Sequence, residues 1–302
     1  MPNYKKESKE FMPDIKLLIA TGWDDYELLD SGDGYKLERF GIYTLARPEP
    51  EAFWKKKLSQ SRWNSADAFF EVTNEKNGGH WQTKNNVPRR WPIQYKGLQF
   101  WIELSGSRQV GVFPEQSGQW DWIVSQIRKS HRPLNVLNLF GYTGMASLIA
   151  ARAGARVTHL DASKKAITWA KENQDLSNLN EKPIRWIVDD ALKFVQREHR
   201  RGNTYDGIIL DPPKFGRGPK GEVWEFYKLI PYLLESCKNV LSKNPQFIIL
   251  TAYSVKASAL TLYNALAEVT DKGRLTPGEV ILKEKNSGRL LSRSVYASWS
   301  AK

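Results

Sequence analysis

The chain has 302 residues, 41% of them hydrophobic, enough to bury a sizeable core and about two domains on the usual scale of ~150 residues each. Forty-five Lys and Arg against 33 Asp and Glu leave a net charge of +12, which favours a polyanionic partner such as nucleic acid over an acidic membrane surface. The single cysteine, Cys237, excludes an intramolecular disulfide and a cysteine-cluster metal site, and the histidines at 80, 131, 159 and 199 lack the spacing of zinc ligands, so no metal is expected.

The opening "MPNYKKESKEFMPD" is charged and has no apolar core, so a loose polar tail is expected rather than a signal peptide. The longest mostly apolar stretch, "VLNLFGYTGMASLIAA", is shorter than the roughly 18 residues a membrane span needs and carries two glycines. Together with the cysteine usage, this predicts a cytoplasmic protein.

Residues 14 to 113 alternate short aromatic-rich runs with the turn signals "SGDG" and "NGG", which predicts a small antiparallel β domain, here bounded at 1–110. Eight of the twelve tryptophans fall in the first 122 residues. They fill the core of a small domain, or some stand exposed for base stacking, as the basic-aromatic "VPRRWPIQY" (87 to 95) would allow.

From 111 to 302 the pattern changes. "SGQWDWIVSQIRKS" sets Trp120, Ile123, Val124 and Ile127 on one helical face. Buried-strand runs then alternate with helix-length segments: "NVLNLF" (135 to 140), "ARVTHLD" (155 to 161), "IRWIV" (184 to 188), "DGIILD" (206 to 211) and "QFIILTA" (246 to 252). This predicts an α/β, Rossmann-like parallel sheet, with a final antiparallel hairpin turning at Asn286-Ser287-Gly288 to close the sheet edge.

"LNLFGYTGMASLIAARAG" runs from a strand through a glycine turn into a helix stopping at Gly154, which makes 141 to 144 a cofactor loop at a helix N-terminus. The G-x-x-G spacing of Gly141 and Gly144 disfavours a dinucleotide, whose pyrophosphate wants G-x-G-x-x-G. Asp161, Asp189 with Asp190, and Asp211 follow successive strands and so line the carboxyl edge of the sheet, where open α/β folds bind ligands. Asp161 is placed for ribose hydroxyls, and Asp189 or Asp190 for the amine of an adenine.

In this order the landmarks "LNLFGYTG…LDAS…VDDALKF…ILDPPKF" resemble the class I S-adenosylmethionine-dependent methyltransferases, and are similar to the bacterial large-subunit rRNA cytosine-C5 methyltransferase group, over about residues 108 to 285. The resemblance implies S-adenosyl-L-methionine as cofactor, its methionine end on Phe140, Gly141, Tyr142 and Gly144, its ribose on Asp161 with Ser163 nearby, and its adenine at Asp190, with Asp189 beside it. Phe113 and Gln116 of "GVFPEQSGQW" are further implied contacts.

Asp211-Pro212-Pro213 is stiff, because each proline fixes φ and lacks an N–H, and a rigid ledge suits an in-line methyl transfer whose rate depends on holding the reactants in place. Asp211 and the Pro212 carbonyl can accept from a substrate amine, Phe215 can stack on a base, and Lys214, with Arg217 and Lys220, can meet RNA phosphates. Cytosine C5 needs a thiolate added at C6, and the related group carries that cysteine just after the fifth strand. Here that stretch is "ILTAYSVKA", and Cys237 reads as a core residue of a helix, so the target atom is left open. The expected function is methyl transfer to a base of ribosomal RNA. A methyltransferase of a protein or small molecule, or a non-catalytic cofactor-binding RNA assembly protein, are the alternatives.

Overall fold

The computed structural model describes residues 12–73, 78–84 and 86–301, so the polar opening segment up to residue 11 and Asn77 of the "NGG" turn lie outside the described residues. The first part runs through β1 (Lys16–Ile19), β2 (Tyr26–Gly32), β3 (Tyr35–Phe40), β4 (Tyr43–Pro48), α1 (Gln60–Asn64), β5 (Ala68–Val72), β6 (Gly79–Thr83), β7 (Arg90–Tyr95) and β8 (Leu98–Glu103). A 3-10 turn at Pro114–Gln116 enters α2 (Ser117–Lys129), followed by β9 (Asn135–Leu139), α3 (Met145–Arg152), β10 (Arg156–Asp161), α4 (Lys164–Leu176), β11 (Ile184–Val188), α5 (Ala191–Arg200) and β12 (Gly207–Leu210). The chain ends with β13 (Phe215–Arg217), β14 (Val223–Glu225), α6 (Phe226–Lys238), β15 (Phe247–Ala252), α7 (Ala259–Ala267), β16 (Arg274–Lys283) and β17 (Leu290–Ser300).

The eight-stranded sheet has the order β1-β16-β17-β15-β12-β9-β10-β11, parallel except for the two pairings of β17. All five expected strands take part in it. Those at its centre are apolar on both faces, as covered parallel strands must be: all four residues of β12 and all six of β15 are buried, whereas β11 at the edge is half-exposed. The terminal hairpin forms, but it does not close the edge. β17 inserts between β15 and β16, and β1 adds outside β16 in parallel register, Lys16 opposite Gly278 and Ile19 opposite Ile281. Among the described residues no helix is long and apolar enough to cross a membrane.

The smaller sheet, β2-β3-β4-β5-β6, is antiparallel except at one place, where β4 and β5 pair in parallel through Leu45–Ala68 and Ala46–Phe69. The crossover carrying α1 makes that possible, since parallel neighbours cannot be joined by a tight hairpin. One hydrophobic cluster welds the two parts, with Tyr26, Phe40, Tyr95 and Phe100 packed beside Trp120, Met145 and Leu282.

The aromatic run at 87 to 95 belongs to that weld. Trp91 is only 6% exposed and its Nε1 donates to the Phe40 carbonyl at 3.0 Å, while Arg90 lies 4.6 Å from the Trp101 ring and pairs with Glu172. All eight tryptophans of the first 122 residues are buried or half-buried. Core filling therefore wins over base stacking for them: an indole alternating with arginine reads the same in sequence whether the strand faces water or a second layer.

Candidate functional site

The order reverses at β9, whose neighbours are β10 and β12, so the carboxyl ends of these strands splay and open a crevice. A cavity of about 930 Å3 fills it. Phe113, Phe140, Tyr142, Asp161, Ser163, Asp189, Asp190, Asp211, Pro212 and Lys214 all line it, and its far wall is Glu49, Arg108, Tyr253 and Arg293.

The turn after β9 is strained. Phe140 and Tyr142 have φ of +59° and +50°, and Gly144 has +89°. Left-handed non-glycine residues cost energy and persist only when surroundings hold them. Asp161 does so: its Oδ2 accepts from Tyr142 N at 2.9 Å, its Oδ1 accepts from Ser163 N at 2.8 Å, and Gly141 N donates to the Leu160 carbonyl at 2.9 Å. Gly141 itself is needed for packing, since a Cβ there would collide with the His159 ring under the turn. His159 is fully buried, with Nδ1 2.9 Å from Ser147 Oγ, and burial lowers its pKa to about 3, so it stays neutral. Gly144 lines no part of the cavity. It is buried at the start of α3, where a Cβ would press on Ala170.

The acids differ in what already holds them. Asp161 is raised by burial against the two N–H bonds that favour its charged form. Asp189 is ion-paired with Arg197 at 2.5 Å and accepts from Asp190 N at 2.9 Å. Asp190 caps α5, its Oδ1 accepting from Lys193 N at 2.9 Å, and Ser163 caps α4 through Ala166 N at 3.2 Å. Asp211 is pushed up to about 7 by burial, with Glu115 adding to the shift and the hydrogen bond from Gln116 Nε2, 2.6 Å long, opposing it. Gln116 and Gly141 line a narrow recess below the main cavity, together with Phe113, Tyr142 and Asp211.

The proline ledge is braced from behind: the Pro213 carbonyl accepts from Trp224 Nε1 at 2.6 Å, and the Trp224 ring lies 4.9 Å from that of Phe140. Pro212 is buried, whereas Phe215 is 64% exposed, outside the cavity lining, with Lys214 Nζ 5.6 Å from its ring centre. Cys237 is 1% exposed inside α6, and burial pushes its thiol up to about 12, so it is a packing residue.

Sequence patterns missed the charges of the far wall. Glu38 accepts from Arg47 Nε at 2.7 Å and Nη2 at 2.9 Å and from Tyr26 Oη at 2.8 Å, and Lys36 lies 3.4 Å from Glu38 and 3.6 Å from Glu49. Arg293 pairs with Glu49 and lies 3.7 Å from Glu115. Three cations and three anions, from β3, the end of β4, the 3-10 turn and β17, thus balance inside the protein. Opposite charges hold Glu38 down at about 2 despite its burial, and keep Arg293 protonated. Against this wall Tyr253 presents a buried hydroxyl with no hydrogen-bond partner among the described residues, its ring 5.5 Å from Phe113.

An open parallel sheet with an inserted antiparallel strand, and a crevice ringed by acids at its switch point, define a class I methyltransferase. The model of the S-adenosylmethionine-dependent methyltransferase family matches residues 73–243, more than half of the chain, which belongs to that family. The crystal structure of a SAM-dependent methyltransferase from Agrobacterium tumefaciens is 45% identical, covers 95% of this chain and 94% of its own, and superposes with a TM-score of 0.91. Two curated relatives are the ribosomal RNA large subunit methyltransferase K/L of Hahella chejuensis, 34% identical over 152 residues, and the ribosomal RNA large subunit methyltransferase I of an Enterobacter species, 30% identical over 129. These matches take in 50% and 42% of this chain but only 20% and 32% of those proteins.

S-adenosylmethionine is therefore the cofactor, and the residues present fit it. The cavity has room for a ligand of its size, and Asp161, Asp189 and Asp190 give it the negative lining a sulfonium cation needs. Asp161 commits one bond per oxygen to the backbone, which leaves lone pairs for ribose hydroxyls.

Proposed function

We propose that this protein transfers a methyl group from S-adenosylmethionine to a base of ribosomal RNA. The observation that carries the reading is the 930 Å3 acid-lined cavity ending at a braced proline ledge, on a chain of net charge +12. That two relatives are ribosomal RNA large subunit methyltransferases supports the substrate class.

In this reading residues 1–110 supply a wall and residues 111–302 the transferase. Phe113, Gln116, Phe140, Gly141 and Tyr142 hold the methionine end, with Gly144 shaping the turn from beneath. Asp161 takes the ribose, with Ser163 beside it at the head of α4, and Asp190 turns its uncommitted Oδ2 to the adenine while Asp189 is steadied by Arg197.

The bound cofactor supplies a methyl carbon on a positively charged sulfur. What the chain adds is orientation. Asp211, aimed by Gln116, and the Pro212 carbonyl accept from the N–H of a base, so that its lone pair faces the cavity. A carboxyl near neutrality can also take the proton that methylation releases. Phe215 and Lys214 receive the base plane and a phosphate at the mouth. A nucleophilic nitrogen suits this arrangement: Tyr253 and Ser254 stand after β15 where a thiolate would be needed for cytosine C5, and Cys237 is sealed in the core.

Tritiated methyl transfer into rRNA stripped of its modifications tests the assignment. Incorporation by the wild type and its loss in Asp211→Ala is the expected result. Equal incorporation by both overturns the role of Asp211, and transfer to protein alone overturns the substrate.

A further inference from the structure

The rim of the cavity continues into a loop that no motif singles out. Glu49, Pro50 and Glu51 line the cavity, and the chain then passes through Phe53-Trp54-Lys55-Lys56-Lys57. This loop is clamped to the β2–β3 hairpin. Asp33 N donates to the Trp54 carbonyl at 2.6 Å and Gly34 N to Ala52 O at 2.9 Å, while the Asp30 carboxylate accepts from Lys57 N at 3.0 Å and Leu58 N at 2.9 Å. Trp54 Nε1 donates to Ser31 O at 3.0 Å. The approach is so close that a Cβ on Gly32 would meet the backbone of Trp54 and Lys56.

A loop held this firmly still leaves the Phe53 ring 86% exposed. Its neighbour Ala52 is fully buried, and the Trp54 ring lies 5.7 Å away as a base beneath it. Keeping a phenyl ring in water forgoes the stabilisation its burial would give, and a rigid backbone removes the option of folding it away. Cations lie near it: the Lys55 side chain is 92% exposed and pairs with Asp33 at 3.0 Å, Lys57 is exposed, and the Arg289 guanidinium sits 5.3 Å from the neighbouring Trp54 ring. Aromatic faces set among phosphate-seeking charges are what a single-stranded nucleic acid uses.

The other rim offers the same pairing, with Phe215 exposed under Lys214, and with Arg217 and Lys256 among the lining residues. Phe53 is two residues past Glu51, so their Cα atoms are at most about 7.6 Å apart. Each exposed phenylalanine thus lies within two residues of the lining of the same cavity.

Resting on the reading that the substrate is RNA, we propose that Phe53, with Lys55 and Lys57, forms a second contact for the single-stranded substrate, stacking on a nucleotide that flanks the one presented to Asp211. The strand would then cross the mouth from rim to rim.

The test is fluorescence anisotropy of a labelled single-stranded oligoribonucleotide with the full chain, beside calorimetry of S-adenosylmethionine binding. Phe53→Ala should weaken RNA binding roughly 5- to 100-fold, and Phe53→Trp should restore it. The double variant Lys55→Ala/Lys57→Ala should flatten the salt dependence of binding, its slope falling by about 0.7 for each phosphate that is no longer neutralised. Cofactor binding should not change in any of them. If wild type and Phe53→Ala bind RNA equally, the stacking role of Phe53 is overturned while methyl transfer to RNA stands. If the wild type binds cofactor but no RNA, the substrate reading has failed, and the role of Phe53 falls with it.

Discussion

The two walls of the cavity are built on opposite plans. The sheet side is local: strained turns and acids that follow one another along the chain, each placed by the end of the strand before it. The far side is assembled from β3, the end of β4, the 3-10 turn and β17, whose six charges, five buried and Arg293 half-buried, neutralise one another across nearly the whole chain. The sheet side keeps its carboxylates short of cations and so available to a positively charged ligand; Asp189, tied to Arg197, is the exception. On the far side Lys36, Arg47 and Arg293 answer Glu38, Glu49 and Glu115. A buried network of that kind is costly to break, because removing one partner strands the other charge in the interior.

The sharpest way to break the contrast is to take one acid from each wall. Asp211→Ala should lower the rate of methyl transfer by about 10²- to 10⁴-fold with cofactor affinity nearly intact, as single-turnover kinetics and calorimetry would show. Glu38→Ala should instead destabilise the fold by about 3–5 kcal/mol in urea unfolding, because Arg47 and Lys36 lose their buried partner. If Glu38→Ala proved stable and inactive, the far wall would be catalytic rather than structural.

Smaller effects sharpen the picture of the sheet side. Gly141→Ala should cost about 1–3 kcal/mol through overpacking on His159, measured in the same unfolding experiment. Asp161→Asn should weaken cofactor binding about tenfold in calorimetry, since the amide still fills the space but loses the charge and one acceptor.

The pH dependence follows from Asp211, whose carboxyl in the fold titrates near 7 against 3.8 in the unfolded chain. Below about pH 4 both states are protonated and the group has no effect. Between 4 and 7 the unfolded state holds fewer protons, so stability falls as pH rises, and the penalty is complete above 7. Asp211→Asn should therefore be more stable than wild type at pH 8, on the order of 1 kcal/mol given the partial exposure of the group, with the gap closing towards pH 4.

Much of the sheet side was legible in the sequence. "NVLNLF", "DGIILD" and "QFIILTA" are buried on both faces along most of their length and read as mainly apolar runs, and Asp211 falls where its run stops. The turn was legible as well, though not the reason for Gly141, which answers to the histidine at 159 on the neighbouring strand. The far wall was not, because Glu38, Arg47, Glu49, Glu115 and Arg293 carry no spacing in common and each looks like an ordinary surface charge. Burial decides their role, and burial is a property of the finished fold. The same blindness affected "VPRRWPIQY", where the indole turned inward, and Phe53, which turned outward with no repeat or motif to mark it.

The pairing of β1 with β16 carries a cost in time. The partner of Lys16–Ile19 is made late, since β16 starts only at Arg274. At ribosomal speeds of about 5–20 residues per second, that is a delay of roughly 10 to 50 seconds during which "KLLI" has no neighbour to hydrogen-bond. A nascent chain stalled before residue 274 should be open to proteases at that point even when the rest of its early portion has already condensed.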